Sequence, residues 1–107
     1  MERKTRQIGE RRSTVSFEAK CGTVATKPSF KARVTQISTT GLRLRTGQEL
    51  PVGTLINIAF DADNSPPVAC AVQARVVRVL PGHRPEFEYG LAVVDDLNKS
   101  FKTLAPR

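Results

Sequence analysis

The chain has 107 residues, with 17 Lys and Arg against 10 Asp and Glu, one histidine and two cysteines, and a formal net charge of +7. That length holds one domain with a modest core and excludes two. The basic excess favours a partner that carries phosphate, whether nucleic acid, nucleotide or an anionic membrane surface, without choosing among them. One histidine argues against a zinc site. No apolar run reaches the length of a membrane span, and no signal-like segment follows the charged first dozen residues. The reading is therefore cytoplasmic and metal-free.

Residues 1–14 are basic and lack sustained apolar alternation, so they are read as a flexible N-terminal arm. Val15, Phe17, Ala19 and Cys21 then alternate with Ser16, Glu18 and Lys20, predicting a first strand with one buried face. Ala32 and Val34 alternate with Lys31, Arg33 and Thr35 in a second strand, and Leu42 and Leu44 oppose Arg43 and Arg45 in a third. Ile56, Ile58 and Phe60 carry the fourth, entered through Pro51-Val52-Gly53. A long fifth run, Val68 to Leu80, contains the doublet Val76-Val77, where a bulge would change which face is buried. Tyr89, Leu91 and Val93 form the sixth strand. Polar, Pro-containing loops lie at 61–67 and 81–85.

These strands predict an all-β fold. Six short strands, each apolar on one side, bury that side and lose their open edges by closing into a small barrel. After Asp95-Asp96, the spacing of Leu97, Phe101 and Leu104 predicts a short amphipathic helix at about 95–105, capped by one of the two aspartates and covering a barrel opening. The barrel domain is thus 15–107. Cys21 and Cys70 fall in apolar strand contexts and are read as buried free thiols. Ser38 has no histidine and acid close by in sequence, and His83 sits in a polar loop, so no catalytic arrangement emerges and the chain is read as a non-enzyme.

The stretch Gln36-Ile37-Ser38-Thr39-Thr40-Gly41-Leu42-Arg43-Leu44 resembles the Asp/Asn-x-Ser-x-x-Gly signature of PilZ domains, bacterial receptors for cyclic di-GMP. The resemblance continues through Leu50-Pro51-Val52-Gly53-Thr54, Ala74-Arg75-Val76-Val77-Arg78-Val79 and Tyr89-Gly90-Leu91-Ala92-Val93, and so covers nearly the whole chain. It implies a six-stranded PilZ-like barrel with a short C-terminal helix, and cyclic di-GMP held between that turn and an Arg-x-x-x-Arg element before the first strand. Carried onto this chain, the turn element is Gln36, Ser38 and Gly41, with Gln36 standing where the family has Asp or Asn. A neutral amide lacks the charge with which a carboxylate accepts the guanine N1 and N2 protons.

The arginine element departs further. Arg12 or Arg11 falls at its second arginine, but four residues earlier stand Ile8 or Gln7; Arg6, five before Arg11, reaches the site only if the arm accommodates one extra residue. Guanidinium groups suit this chemistry because their fixed donors grip phosphate oxygens or the O6 and N7 edge of guanine. The competing reading of the same residues is a solvated basic tail beside an ordinary serine-stabilised turn.

Three functions follow. The first is a cyclic di-GMP receptor whose arm folds over the barrel and alters the surface offered to an effector protein. The second is a degenerate PilZ-like domain that binds protein without nucleotide. The third is a single-stranded nucleic-acid-binding barrel, ranked last because five Phe and one Tyr fall largely at inward positions, with Phe30 the exception between Lys27 and Lys31.

Overall fold

Alternating apolar and polar side chains stay half-buried only if the sheet that carries them closes or is covered. The structure, a computed structural model, describes residues 12–23, 29–62, 68–82 and 85–104. Its strands are β1 (Arg12–Thr23), β2 (Phe30–Ser38), β3 (Gly41–Thr46), β4 (Leu55–Ala62), β5 (Val68–Leu80) and β6 (Phe87–Asp96). They close into a six-stranded barrel in the order β1-β2-β3-β6-β5-β4, every neighbouring pair antiparallel. β1 completes the ring by pairing with both β2 and β4. All six strands expected from the alternation are present, and β1 begins at Arg12, earlier than the apolar run at Val15.

The inward rows supply the core. Val34, Leu44, Ile56, Val72 and Ala74 are wholly shielded from solvent, and Phe17 stacks on Phe60 with ring centroids 5.6 Å apart. Tyr89 is buried too, and its hydroxyl accepts a 2.8 Å hydrogen bond from the Leu50 N–H and reaches the Gln48 carbonyl at 3.4 Å. A phenol buried with partners adds apolar area without an unsatisfied polar group. Phe30, opposite Cys21 in the β1–β2 ladder, packs against this core. It is not the surface platform that base stacking requires, which corrects the exception made for it.

Both cysteines are buried free thiols. Burial pushes the Cys21 thiol up to about 12. Burial, with the nearby Asp96 and Asp61 carboxylates, pushes Cys70 up to about 11. Neither is a nucleophile at neutral pH.

The end of the chain differs from expectation. β6 runs through Asp96, and α1 (Phe101–Leu104) is a single turn of four residues rather than a helix over 95–105. The ladder with β5 holds Asp95 and Asp96 extended, opposite Gln73 and Val72. Asp96 does cap the turn: its carboxylate accepts from the N–H groups of Phe101 (3.2 Å) and Lys102 (3.0 Å). Phe101 reaches the core and Leu104 packs partly against it, but Leu97 is 50% exposed and leaves the expected stripe. No helix among the described residues is long and apolar enough to cross a membrane.

Candidate functional site

Three bulges converge on one part of the barrel wall. The β1–β2 ladder shifts register between Thr14 and Phe17, the β2–β3 ladder between Val34 and Gln36, and the β5–β6 ladder between Val76 and Arg78. An inserted residue reverses which face the following side chains occupy. Unbroken alternation from Val34 and from Val76, both inward, would turn Gln36 and Arg78 toward the core. With the bulges, Gln36 pairs with Arg43 and Arg78 pairs with Gly90, both on the outer face. The β5 bulge is the one expected at Val76-Val77, and Val77, at 47% exposure, is its extra residue.

The result is a continuous row across five strands: Thr14, Gln36, Arg43, Gly90 and Arg78, each opposite the next. One step along the barrel lies the turn between β2 and β3. There the backbone of Arg12 stands opposite Ser38, so the strand that leads out of the basic arm ends beside the turn. Arg6 and Arg11 lie outside the described residues, as does His83.

The turn itself is built by Ser38. Its Oγ accepts hydrogen bonds from the N–H groups of Gly41 (3.1 Å) and Thr40 (3.4 Å), and it lies 3.3 Å from the Gly41 carbonyl oxygen. Ser38 is only 8% exposed. Gly41 is demanded by close approach: a Cβ there would overlap the carbonyl oxygen of Leu91 on β6. The Val93 N–H donates to the Thr40 carbonyl at 2.9 Å and clamps the same crossing. Gly41 therefore sets the fit of β3 on β6, and Ser38 sets the path of the turn.

Around these elements is a shallow concavity of about 200 Å³ lined by Gln36, Ser38, Gly41, Arg43, Arg78 and Gly90 among others, with no acidic side chain among the described residues of its wall. That is smaller than the roughly 300–1,000 Å³ of pockets that enclose a small ligand. The barrel wall is one side of a site, and anything bound there needs a second cover. A larger hollow of about 620 Å³ lies elsewhere, but Glu18, Asp61 and Glu86 share its wall with Lys20, Lys31 and Arg33, a poorer setting for an anion. Its arginines are engaged: Arg33 reaches Glu18 at 3.6 Å and Arg45 reaches the buried Glu88 at 4.0 Å.

Residues 5–105 match the model of the PilZ domain family. The chain belongs to that family. PilZ domains are non-catalytic receptor or adaptor modules, and the chain is not an enzyme. Among solved structures, it is similar to the inhibitor of motility MotI/DgrA of Bacillus subtilis, at 13% identity and a TM-score of 0.76, over 97% of this chain and 50% of that one. The chain thus spans half the length of that protein. It is also similar to the PilZ domain of CeSA from a cellulose-synthesizing bacterium, at 14% identity and a TM-score of 0.60, over 88% of this chain and 91% of that one. At such identities the likeness is one of fold. No curated protein matches the sequence.

Of the residues expected at the site, Gln36, Ser38 and Gly41 line the concavity, and the backbone of Arg12 adjoins it. Arg43, Gly90 and Arg78 were not singled out as a group from sequence. Each reads alone as an outward arginine or an ordinary strand glycine, and only cross-strand register joins them. The one sequence signal was the Val76-Val77 doublet, which foretold the bulge that re-aims Arg78.

Proposed function

We propose that this PilZ domain is a cyclic di-GMP receptor that acts through an effector protein. One observation carries the reading: the exit of the basic arm, at Arg12, stands in register with Ser38 at the edge of a concavity without acidic lining among the described residues. An arm folding over the wall would supply the cover that the shallow site lacks, with Arg11, Arg12 and Arg6 as its guanidinium donors. Gln36 and the backbone of the Ser38–Gly41 turn would complete the contacts from the barrel side. Ordering the arm costs conformational entropy, so binding requires several charge-assisted contacts to form together. One matching structure belongs to an inhibitor of motility and another to a protein from a cellulose-synthesizing bacterium, which fits an output in motility or polysaccharide control.

A second reading, a PilZ domain that has lost the nucleotide and retains only protein binding, is favoured by Gln36 at the acidic position and by Ile8 and Gln7 where the arm would need an arginine. Isothermal titration of cyclic di-GMP into the chain separates the two. Saturable binding, lost in Arg11→Ala/Arg12→Ala, supports the receptor. A folded protein that gives no saturable heat is the degenerate domain, and heat that salt abolishes without saturation is attraction to a basic surface.

A further inference from the structure

The outward arginines of the barrel are not equivalent. Arg33 is paired with Glu18 and donates to the Ser16 hydroxyl at 2.9 Å. Arg45 faces Glu88. Arg75 donates to the Gly53 carbonyl at 3.1 Å and ties down the turn before β4. Arg43 and Arg78 have no carboxylate within ion-pair distance among the described residues, and these two share the concavity. They flank Gly90 from the strands on either side of it, Arg43 from β3 and Arg78 from β5.

Gly90 has no side chain, so the wall between the two arginines is low there and the side chain of Arg78 lies across it. Two interstrand steps set the arginine Cα atoms about 10 Å apart, and Arg78 crosses part of that width, leaving a shallow slot floored by its own side chain rather than an open gap between the two guanidinium groups. Arg78 lies along the floor of this slot. A Cβ added to Gly90 would stand 3.2 Å from both Cγ and Nε of Arg78, closer than a side chain packs without displacing its neighbour.

We infer that Arg43, Gly90 and Arg78 form the barrel-side cationic slot of the nucleotide site, supplying the guanidinium contact missing from the irregular arm. The inference rests on the receptor reading. Arg43 and Arg78 touch the ligand, in a fork-like grip on a phosphate oxygen or on guanine O6 and N7. Gly90 is a positioning residue: it lets Arg78 lie flat against the wall, within reach of a ligand seated beside the Ser38–Gly41 turn.

The test is titration of cyclic di-GMP at two salt concentrations into the wild type, Arg43→Ala, Arg78→Ala, Arg78→Lys, Gly90→Ala and the Gly90→Ala/Arg78→Ala double variant, with Lys31→Ala as an off-site loss of charge. Melting curves accompany each. Loss of a charge-assisted contact weakens binding roughly tenfold to a hundredfold in Arg43→Ala and in Arg78→Ala. Lysine at position 78 restores only part, because an ammonium lacks the planar fork, and Lys31→Ala changes affinity less than about twofold. Gly90→Ala weakens binding while the melting temperature holds, and adds nothing once Arg78 is alanine. Wild-type affinity in both arginine variants overturns the slot and leaves the receptor standing. A Gly90→Ala loss that persists in the Arg78→Ala background overturns the positioning role. Failure of the wild type itself to bind overturns the receptor reading and the slot together.

Discussion

Replacing Ser38 with alanine tests whether the serine of the PilZ signature acts on the ligand or on the turn. The Oγ is nearly buried and accepts a well-formed hydrogen bond from the Gly41 N–H at 3.1 Å. The distances of 3.4 Å to the Thr40 nitrogen and 3.3 Å to the Gly41 oxygen are long and add little. Alanine removes the good acceptor from a shielded N–H where water does not easily replace it, a loss of about 1–2 kcal/mol. For a domain of this size that lowers the melting temperature by about 4–12 °C. The assay is thermal unfolding followed by circular dichroism, with urea unfolding as a check and cyclic di-GMP titration at a temperature where the variant is fully folded. The turn reasoning expects stability and affinity to fall together. An unchanged melting temperature, within about 1 °C, with binding abolished would refute it. The hydroxyl would then be a ligand contact, and its internal hydrogen bonds dispensable.

Gly41→Ala should destabilise more than Ser38→Ala, by about 3 kcal/mol, because the added methyl meets the Leu91 backbone, which has no flexible end to give way; equilibrium urea unfolding reads this directly. Asp96→Ala should cost about 1 kcal/mol and increase proteolysis after Phe101, since it removes the acceptor of two N–H groups at the start of α1. The native thiols should be silent to a disulfide reagent at pH 8 and react only when denaturant exposes them. Their folded pKa values, about 12 for Cys21 and about 11 for Cys70, lie above the usual 9.0. Their contribution to stability is therefore complete below pH 9 and declines as pH rises through 11 to 12, because only the unfolded chain ionises first. Melting temperatures from pH 8 to 10.5 should fall less steeply in a Cys21→Ala/Cys70→Ala variant than in the wild type, and equal slopes would contradict this.

Much of the fold was legible because a β-strand records its two faces in alternate residues. Val15 to Cys21, Ile56 to Phe60 and Tyr89 to Val93 each announced an inward side, and six such strands leave little choice but closure. Ser38 and Gly41 were legible as a turn because few other residues bend a chain between strands. The helix expected at 95–105 was not sound, since the spacing of Leu97, Phe101 and Leu104 says nothing of the β5 ladder that holds Asp95 and Asp96 extended.

The sequence by itself determined the family, the strands, the net charge and the chemistry of each side chain, all local properties of short runs. Only the tertiary structure decided that Gly41 is present for the Leu91 carbonyl, that the Ser38 hydroxyl holds its own turn, and that Arg43 and Arg78 stand on either side of Gly90. The physical reason is register. A single bulge in β2 or β5 reverses the face of every residue beyond it, and which residues then stand opposite one another depends on strands dozens of positions apart.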